Sequence, residues 1–418
     1  MTEVETPEPN QLKRTVGLPG AVLLGLGSIL GTGAFVGLAL AVGISGAMTP
    51  YALLLAGLLA GCNAMSSAQL AAAHPVSGGT YAYGYRFLSP AAGFTAGTCF
   101  MLAKSASAAA AGLGLAIYLF PQFNTNIVAA YLIIGITALV ALGLRRANIV
   151  NTVLVVITVS ALIWLAVAGL LSPASAPSIE RKISSPDFLQ ATALLFVAFT
   201  GYGRIATLGE EVTNPRSTIP KAIIATIFIS TALYFAVLLS GLNVLGVDGI
   251  EKTALAQYAP LQMVAETLGH SPLTLTISIA AATAMAGVAL NLLLGLSRVL
   301  LAMGRQGDAP KVFAKLSAKS EPLIAVWGVG IAIALIAAFG GLKLVWSFSA
   351  FTVLVYYAIT NLCALRLAPA DRLYPRVISW LGLIGCAGLA LFVDLSVIFA
   401  GTAMIVLALG LRFIFIHK

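Results

Sequence analysis

Runs of about twenty apolar residues follow one another along almost the whole chain. The hydrocarbon core of a bilayer is about 30 Å thick, and a helix of about 20 such residues crosses it. A window of about nineteen residues separates twelve runs: 17–41, 46–72, 88–119, 126–144, 149–171, 189–212, 219–245, 273–304, 322–340, 342–366, 374–393 and 395–415. Only 9% of the 418 residues are charged and 60% are hydrophobic, whereas soluble domains carry about a quarter charged residues. A water-soluble globular protein is therefore excluded, and the fold class is an all-α polytopic membrane protein with twelve transmembrane helices. The 41 glycines fit helices that pack closely within lipid.

Counting Lys and Arg with alternating spans puts seventeen on the side of the two termini and four (Arg181, Lys182, Lys252 and Lys343) on the other. The positive-inside bias then places both termini in the cytoplasm and the protein in the cell membrane. The net charge of +9 is loop charge; no basic run interleaved with aromatics follows phosphates, so nucleic acid is not a partner. Residues 1–16 read as a disordered cytoplasmic tail. The first apolar run has no small-residue cleavage site and is followed by many more, so it is a retained helix and not a signal peptide. Cys62, Cys99, Cys363 and Cys386 sit inside apolar runs without metal-ligand spacing and read as core thiols. No motif asks for a metal or a cofactor. The longest connections, 172–188 and 246–272, are short and polar, and no span carries a His, Cys or carboxylate constellation. An enzyme is disfavoured; the chain works within the bilayer.

Two spans are interrupted near their middles. Span 1 contains Gly31-Thr32-Gly33, and span 6 contains Phe199-Thr200-Gly201-Tyr202-Gly203. Glycine costs about 1 kcal/mol relative to alanine inside a helix, so unwinding here is cheap. Unwound backbone at that depth persists only where it is buried in protein or lines a wet cavity. Interruptions in corresponding spans of opposite direction point to an inverted five-plus-five repeat, 17–171 and 189–366, with 374–418 holding peripheral spans 11 and 12. The unpaired amides at the restart of helix 1, near Thr32, Gly33 and Ala34, suit a carboxylate. The carbonyls ending the first halves of the two helices, around Ser28, Ile29, Phe199 and Thr200, suit an ammonium. An amino acid carries both groups.

The run Gly27-Ser28-Ile29-Leu30-Gly31-Thr32-Gly33-Ala34-Phe35, the segment His74-Pro75-Val76-Ser77-Gly78-Gly79-Thr80-Tyr81-Ala82-Tyr83, and Glu210-Glu211-Val212-Thr213-Asn214-Pro215-Arg216 with Ile219-Pro220-Lys221-Ala222 resemble the amino acid-polyamine-organocation superfamily of permeases. Ser297-Arg298 followed by Gly304-Arg305-Gln306-Gly307-Asp308-Ala309-Pro310 is similar to its pattern after span 8. The resemblance covers roughly residues 17–366. It implies a LeuT-type fold and a secondary active transporter that rocks helices 1, 2, 6 and 7 against the rest. It also implies Gly31, Gly201 and Gly203 in the substrate site, with Tyr202 bordering its side-chain pocket and Glu210 and Glu211 at a cytoplasmic gate. The segment around His74 is expected to be a turn.

The chain departs from that pattern where coupling is concerned. Many relatives place an acid soon after the span 6 glycine-aromatic pair, where Gly203 and Arg204 stand here, and some proton-coupled ones carry a Lys in helix 5, where Thr158 stands. A sodium site through Ser28 and the hydroxyl of Thr283 is one alternative. The other lies in two cations inside spans, Lys104 and Arg204, with all fourteen acids in the tail, loops or helix ends. A charge at such depth costs about 2.5–3.5 kcal/mol on insertion scales. Lys104 is then a proton carrier with Arg204 contacting substrate or gate, or both cations bind an anionic cargo, or both bond to carbonyls of the unwound segments. Proton-coupled symport of a small or neutral amino acid leads; an exchanger or an acidic amino acid transporter follows, and a channel or substrate-gated receptor is the alternative of another class. Oligomeric state and the particular cargo stay open.

Overall fold

A computed structural model of the chain describes residues 16–74, 78–143, 148–173, 184–206, 212–255, 258–317 and 321–416. Apart from turns and one backbone bridge between Val16 and Val212, the described elements are helical. In chain order they are α1 (Leu18–Ile29), a π-helical turn (Gly33–Gly37) leading into α2 (Leu38–Ser45), α3 (Thr49–Ala73), α4 (Thr80–Phe87), α5 (Pro90–Leu119), α6 (Thr125–Ala141), α7 (Asn148–Leu171), α8 (Ser185–Phe199) and α9 (Gly203–Ala206). There follow α10 (Pro215–Leu255), α11 (Pro260–Thr267), α12 (Ser271–Gln306), α13 (Leu323–Phe339), α14 (Leu342–Leu365), α15 (Arg376–Ala390) and α16 (Leu395–Ile416). Among the described residues, eight helical stretches are long and apolar enough to cross a membrane, and one of these, Gly33–Ala73, joins the second half of span 1 to span 2. Four shorter apolar helices, α1, α6, α13 and α15, stand at the remaining expected spans.

Local chemistry sets many of the helix ends. Proline occupies the first turn of α1, α3, α5, α8, α11 and α12, where its missing N–H would have had no partner. Ser184 and Asp187 form a reciprocal capping box at α8, Asn124 caps α6, and Gly307, at φ 80°, ends α12 in the left-handed conformation that glycine adopts without steric cost. All four cysteines are free and buried.

At the centre stands α5, whose Ala103, Ala106, Ala108, Ala109, Ala110 and Ala111 are buried. Small side chains let α12, α13 and α14 pack closely around it, which is how helices associate where no hydrophobic effect drives them together. The packing also has a two-fold regularity when spans 1–5 are exchanged for spans 6–10. Span 3 on span 10 (α5 on α14) matches span 8 on span 5 (α12 on α7), and span 2 on span 6 (α3 on α8) matches span 7 on span 1 (α10 on α1). Spans 3 and 8, and spans 4 and 9, meet each other directly.

Two connections differ from their sequence reading. The stretch 246–272 is largely helical: α10 continues through a bend at Gly246, φ 67°, and α11 follows. Burial of Leu261, Val264 and Ala265 holds α11 down, an amphipathic signal too short to register against twelve long spans. After the turn at Gly78 and Gly79, both at positive φ, the chain forms α4 before span 3, and α4 is tied down by a polar cluster. Tyr81 and Tyr85 hydroxyls donate to Asp308 at 2.6 and 2.5 Å. Arg412 of α16 donates to the same carboxylate at 2.9 Å and to the Tyr85 oxygen at 3.0 Å. Burial, and then its bond to Asp308, push the Tyr85 hydroxyl up to about 12, so Tyr85 remains a donor at neutral pH.

Asp308, from the run after span 8, thus joins α4 to α16. With its side chain 4% and that of Arg412 15% exposed, removing one partner leaves an uncompensated buried charge, a loss of about 3 kcal/mol. Asp308→Ala is expected to lower the thermal stability of the purified protein in detergent by that order, with Asp308→Asn losing less. A melting curve for Asp308→Ala that overlays the wild type would show that the cluster does not hold α4.

Candidate functional site

Helix α1 stops because the chain turns extended at Leu30, with ψ 91°, after its N–H closes the last turn on Leu26 O. It restarts at Thr32, and the Gly31 carbonyl accepts from the amides of Ala34 and Phe35 at 3.0 and 3.2 Å. Of the amides expected to face a ligand, Ala34 is therefore engaged. Those of Gly31, Thr32 and Gly33 have no protein partner among the described residues. Thr32 Oγ1 beside them is buried, the residue being 3% exposed, and makes no hydrogen bond. In span 6, α8 ends at Phe199, Thr200–Tyr202 form one tight turn, and α9 starts at Gly203. Thr200 Oγ1 donates to Val197 O at 2.9 Å.

The two breaks lie against each other reciprocally. A Cβ on Gly33 would stand 2.6 Å from Ala198 Cβ, and one on Gly201 would overlap the Ser28 carbonyl. A Cβ on Gly31 would stand 2.6 Å from Val288 Cγ2 of α12, whereas beside Gly203 the nearest atom is Tyr357 Oη at 3.7 Å. Tyr234 of α10 bridges the pair, its hydroxyl reaching Ile29 O at 2.8 Å and Ala198 O at 3.3 Å. Lys104 of α5 points into the span 6 turn, with Nζ 3.0 Å from Thr200 Oγ1 and 3.4 Å from Thr200 O. Tyr357 of α14 donates to Thr200 O at 3.4 Å and lies against the Tyr202 ring, centroids 5.5 Å apart. Tyr202 is fully buried and its hydroxyl has no hydrogen-bond partner.

The structure thus gathers Ser28, Ile29, Gly31, Thr32, Gly33, Phe199, Thr200, Gly201, Tyr202 and Lys104 at one place. It does not bring every expected residue there. Arg204 is exposed on α9 while Lys104 is buried, so the two cations do not face one ligand position together. Thr158 is buried and bonded back to Leu154 O at 2.8 Å. Ser28 and Thr283 each donate to their own helix, to Leu24 O at 3.0 Å and Ile279 O at 2.8 Å, and no bond joins them. Glu210 and Glu211 lie outside the described residues. Tyr234, Tyr357 and Trp346, which donates to Leu194 O at 3.0 Å, were not singled out in the sequence. Their only signal is a polar tip inside an apolar run, and which carbonyl each tip reaches depends on tertiary contact.

Access is unequal on the two sides. Ser28, Gly201 and Gly203 are half-buried towards the side of the termini, while Ala34, Phe35 and Val36 beyond the break are buried. On that far side Tyr118 Oη donates to Phe35 O at 3.0 Å and accepts from Leu261 N–H of α11 at 3.3 Å. The residual space between α2, α10 and α11 is about 20 Å³, room for about one water. A larger cavity of about 410 Å³ lies at the outer ends of α3 and α10, is lined mostly by apolar residues including Tyr51, Leu54 and Leu242, and contains none of the break residues.

The two broken helices lie within a bundle of helices apolar enough to span a membrane. The chain belongs to the amino acid permease family, whose model matches residues 20–416, and like its relatives it is a transporter and not an enzyme. It is 38% identical over 411 residues to an uncharacterized transporter of Mycobacterium tuberculosis, covering 97% of this chain and 92% of the relative. A branched-chain amino acid permease of Bacillus subtilis is 27% identical, covering 79% and 76% of the two chains. A methylthioribose transporter of the same organism is 28% identical, covering 78% and 75%.

The contacts around the glycines revise their use as probes. Gly33→Val would disturb the packing of α8 as well as the backbone facing a ligand, so loss of binding alone would not separate the two. A contrasting pair does. Gly201→Ala drives a methyl into the Ser28 carbonyl and is expected to destabilise the protein by about 1–3 kcal/mol. Gly203→Ala meets only an ordinary van der Waals contact with Tyr357 Oη and is expected to melt within about 1 kcal/mol of wild type. Equal thermal stability of the two variants in detergent would contradict the close apposition of the breaks.

Proposed function

We propose that this protein is an amino acid permease of the cell membrane, with both termini cytoplasmic, that carries its cargo by proton-coupled symport and alternating access. The observation that carries the reading is the pair of apposed breaks. The free amides of Gly31, Thr32 and Gly33 with Thr32 Oγ1 offer the positive end of a helix to a carboxylate. The carbonyl ends of α1 and α8 lie alongside and receive an ammonium. The two-fold packing supports an inverted repeat of residues 17–171 and 189–366 in a LeuT-type arrangement, with 374–418 peripheral. The family and its branched-chain amino acid permease member support an amino acid as cargo.

Lys104 is the proton carrier in this reading. It touches the span 6 turn through Thr200, so a change in its charge acts directly on the backbone at the site. Thr158, bonded to its own helix, does not take that role. An exchanger on the same fold is the second reading, since substrate-for-substrate exchange needs the same site and no proton carrier.

Purified protein in liposomes, given a panel of labelled amino acids, is expected to show saturable uptake that rises when the outside is made more acidic than the lumen. Lys104→Ala is expected to lose that gradient-driven accumulation. Uptake of none of the panel would refute the permease reading. Accumulation by Lys104→Ala equal to wild type would refute the carrier role, and uptake that needs internal amino acid but ignores the pH gradient would favour the exchanger.

A further inference from the structure

Beside the open amides of Gly31, Thr32 and Gly33, the paired breaks hold one buried ammonium. Lys104 is 8% exposed and its contacts are Thr200 Oγ1 and, at 3.4 Å, Thr200 O. Because Thr200 Oγ1 gives its hydrogen to Val197 O, it can only accept from Lys104. Both partners are neutral, and among the described residues no carboxylate touches Lys104. Tyr357, a neutral hydroxyl, donates to the same Thr200 carbonyl. Across the break stand the three open amides and Thr32 Oγ1.

Three of the acceptors are already occupied. Ile29 O and Ala198 O receive Tyr234, and Thr200 O receives Lys104 and Tyr357. What the site lacks is negative charge. Resting on the permease reading above, we infer that the cargo is an amino acid of net charge −1, a dicarboxylic one. Its α-carboxylate lies on the amides of Gly31, Thr32 and Gly33, and its second carboxylate pairs with Lys104. A zwitterion would leave Lys104 without a counter-charge. The net-anionic cargo makes the loaded site electrically neutral, and a neutral site at this depth avoids the cost of moving an unpaired charge within lipid. It also excludes cationic amino acids, since like charges at close range oppose binding.

Removing one partner of a buried charge pair costs at least about 30-fold in affinity. Purified wild-type protein in liposomes is expected to take up glutamate or aspartate at least about 30-fold better, in kcat/KM, than leucine, glutamine or lysine. Lys104→Gln is expected to lose that preference by a similar factor while keeping residual uptake of the neutral amino acids, and Lys104→Arg to keep the preference for the anion. Wild-type uptake of leucine or lysine equal to that of glutamate would overturn the inference and leave the permease reading standing, and so would an unchanged glutamate-to-leucine ratio in Lys104→Gln. Uptake of no amino acid at all would overturn the permease reading itself. Should Lys104→Gln fail to fold, the wild-type ratio decides alone.

Discussion

Backbone amides and carbonyls cannot be left open to lipid, and the architecture follows from how the two interrupted helices meet that constraint. Within a continuous helix every peptide group finds a partner in its own turn. At Leu30–Gly33 and Thr200–Tyr202 that supply stops, and other helices provide what is missing: Tyr234 from α10, Tyr357 from α14, Lys104 from α5. Each donor is the polar tip of a side chain whose stem packs among apolar neighbours. The breaks therefore fix the mutual position of three other helices. What those donors leave unpaired, three amides and the hydroxyls of Thr32 and Tyr202, defines where a polar ligand can replace them.

Glycine serves two purposes here that a sequence reading tends to merge. Gly33 and Gly201 are small because the opposite break lies within contact of their Cα atoms; each lets one interrupted helix press against the end of the other. Gly203 has only an ordinary contact with Tyr357 Oη beside it, so its value lies in backbone freedom. Close packing and helix interruption are thus one arrangement at this pair, because two helix ends can share polar groups only when nothing holds their backbones apart.

The two faces of the bundle are secured by different chemistry. On the side of the termini, Asp308 gathers two tyrosines and an arginine from α4 and α16, and the backbone bridge of Val16 to Val212 and Thr213 ties the start of α1 to the segment before α10. On the opposite side α11 rests on the π-helical turn through apolar contacts and the single hydroxyl of Tyr118. A seal of that kind, mostly apolar with one polar pin, can part without stranding a buried charge. The ionic cluster cannot be opened so cheaply.

The sequence by itself determined that this is a bundle of membrane helices, where those helices lie and which two are interrupted. Hydrophobic run length and glycine placement are local properties, and lipid makes them nearly sufficient by demanding that each span satisfy its own backbone. The residues around the breaks, from Ser28 to Ala34 and from Phe199 to Gly203, were legible for the same reason, as was Lys104 as a charge at costly depth. The partners were not legible. That Lys104 meets Thr200 while Arg204 turns outwards, that Tyr234 takes the Ile29 carbonyl, that Ala34 bonds back to Gly31, and that Tyr81 and Tyr85 share Asp308 with an arginine more than a hundred residues away are facts of three-dimensional contact. So is the helical state of α4 and α11, short segments whose stability comes from what they pack against. Spacing along a chain fixes which face of a helix a side chain occupies, but which carbonyl stands opposite that face is decided only when the helices are assembled.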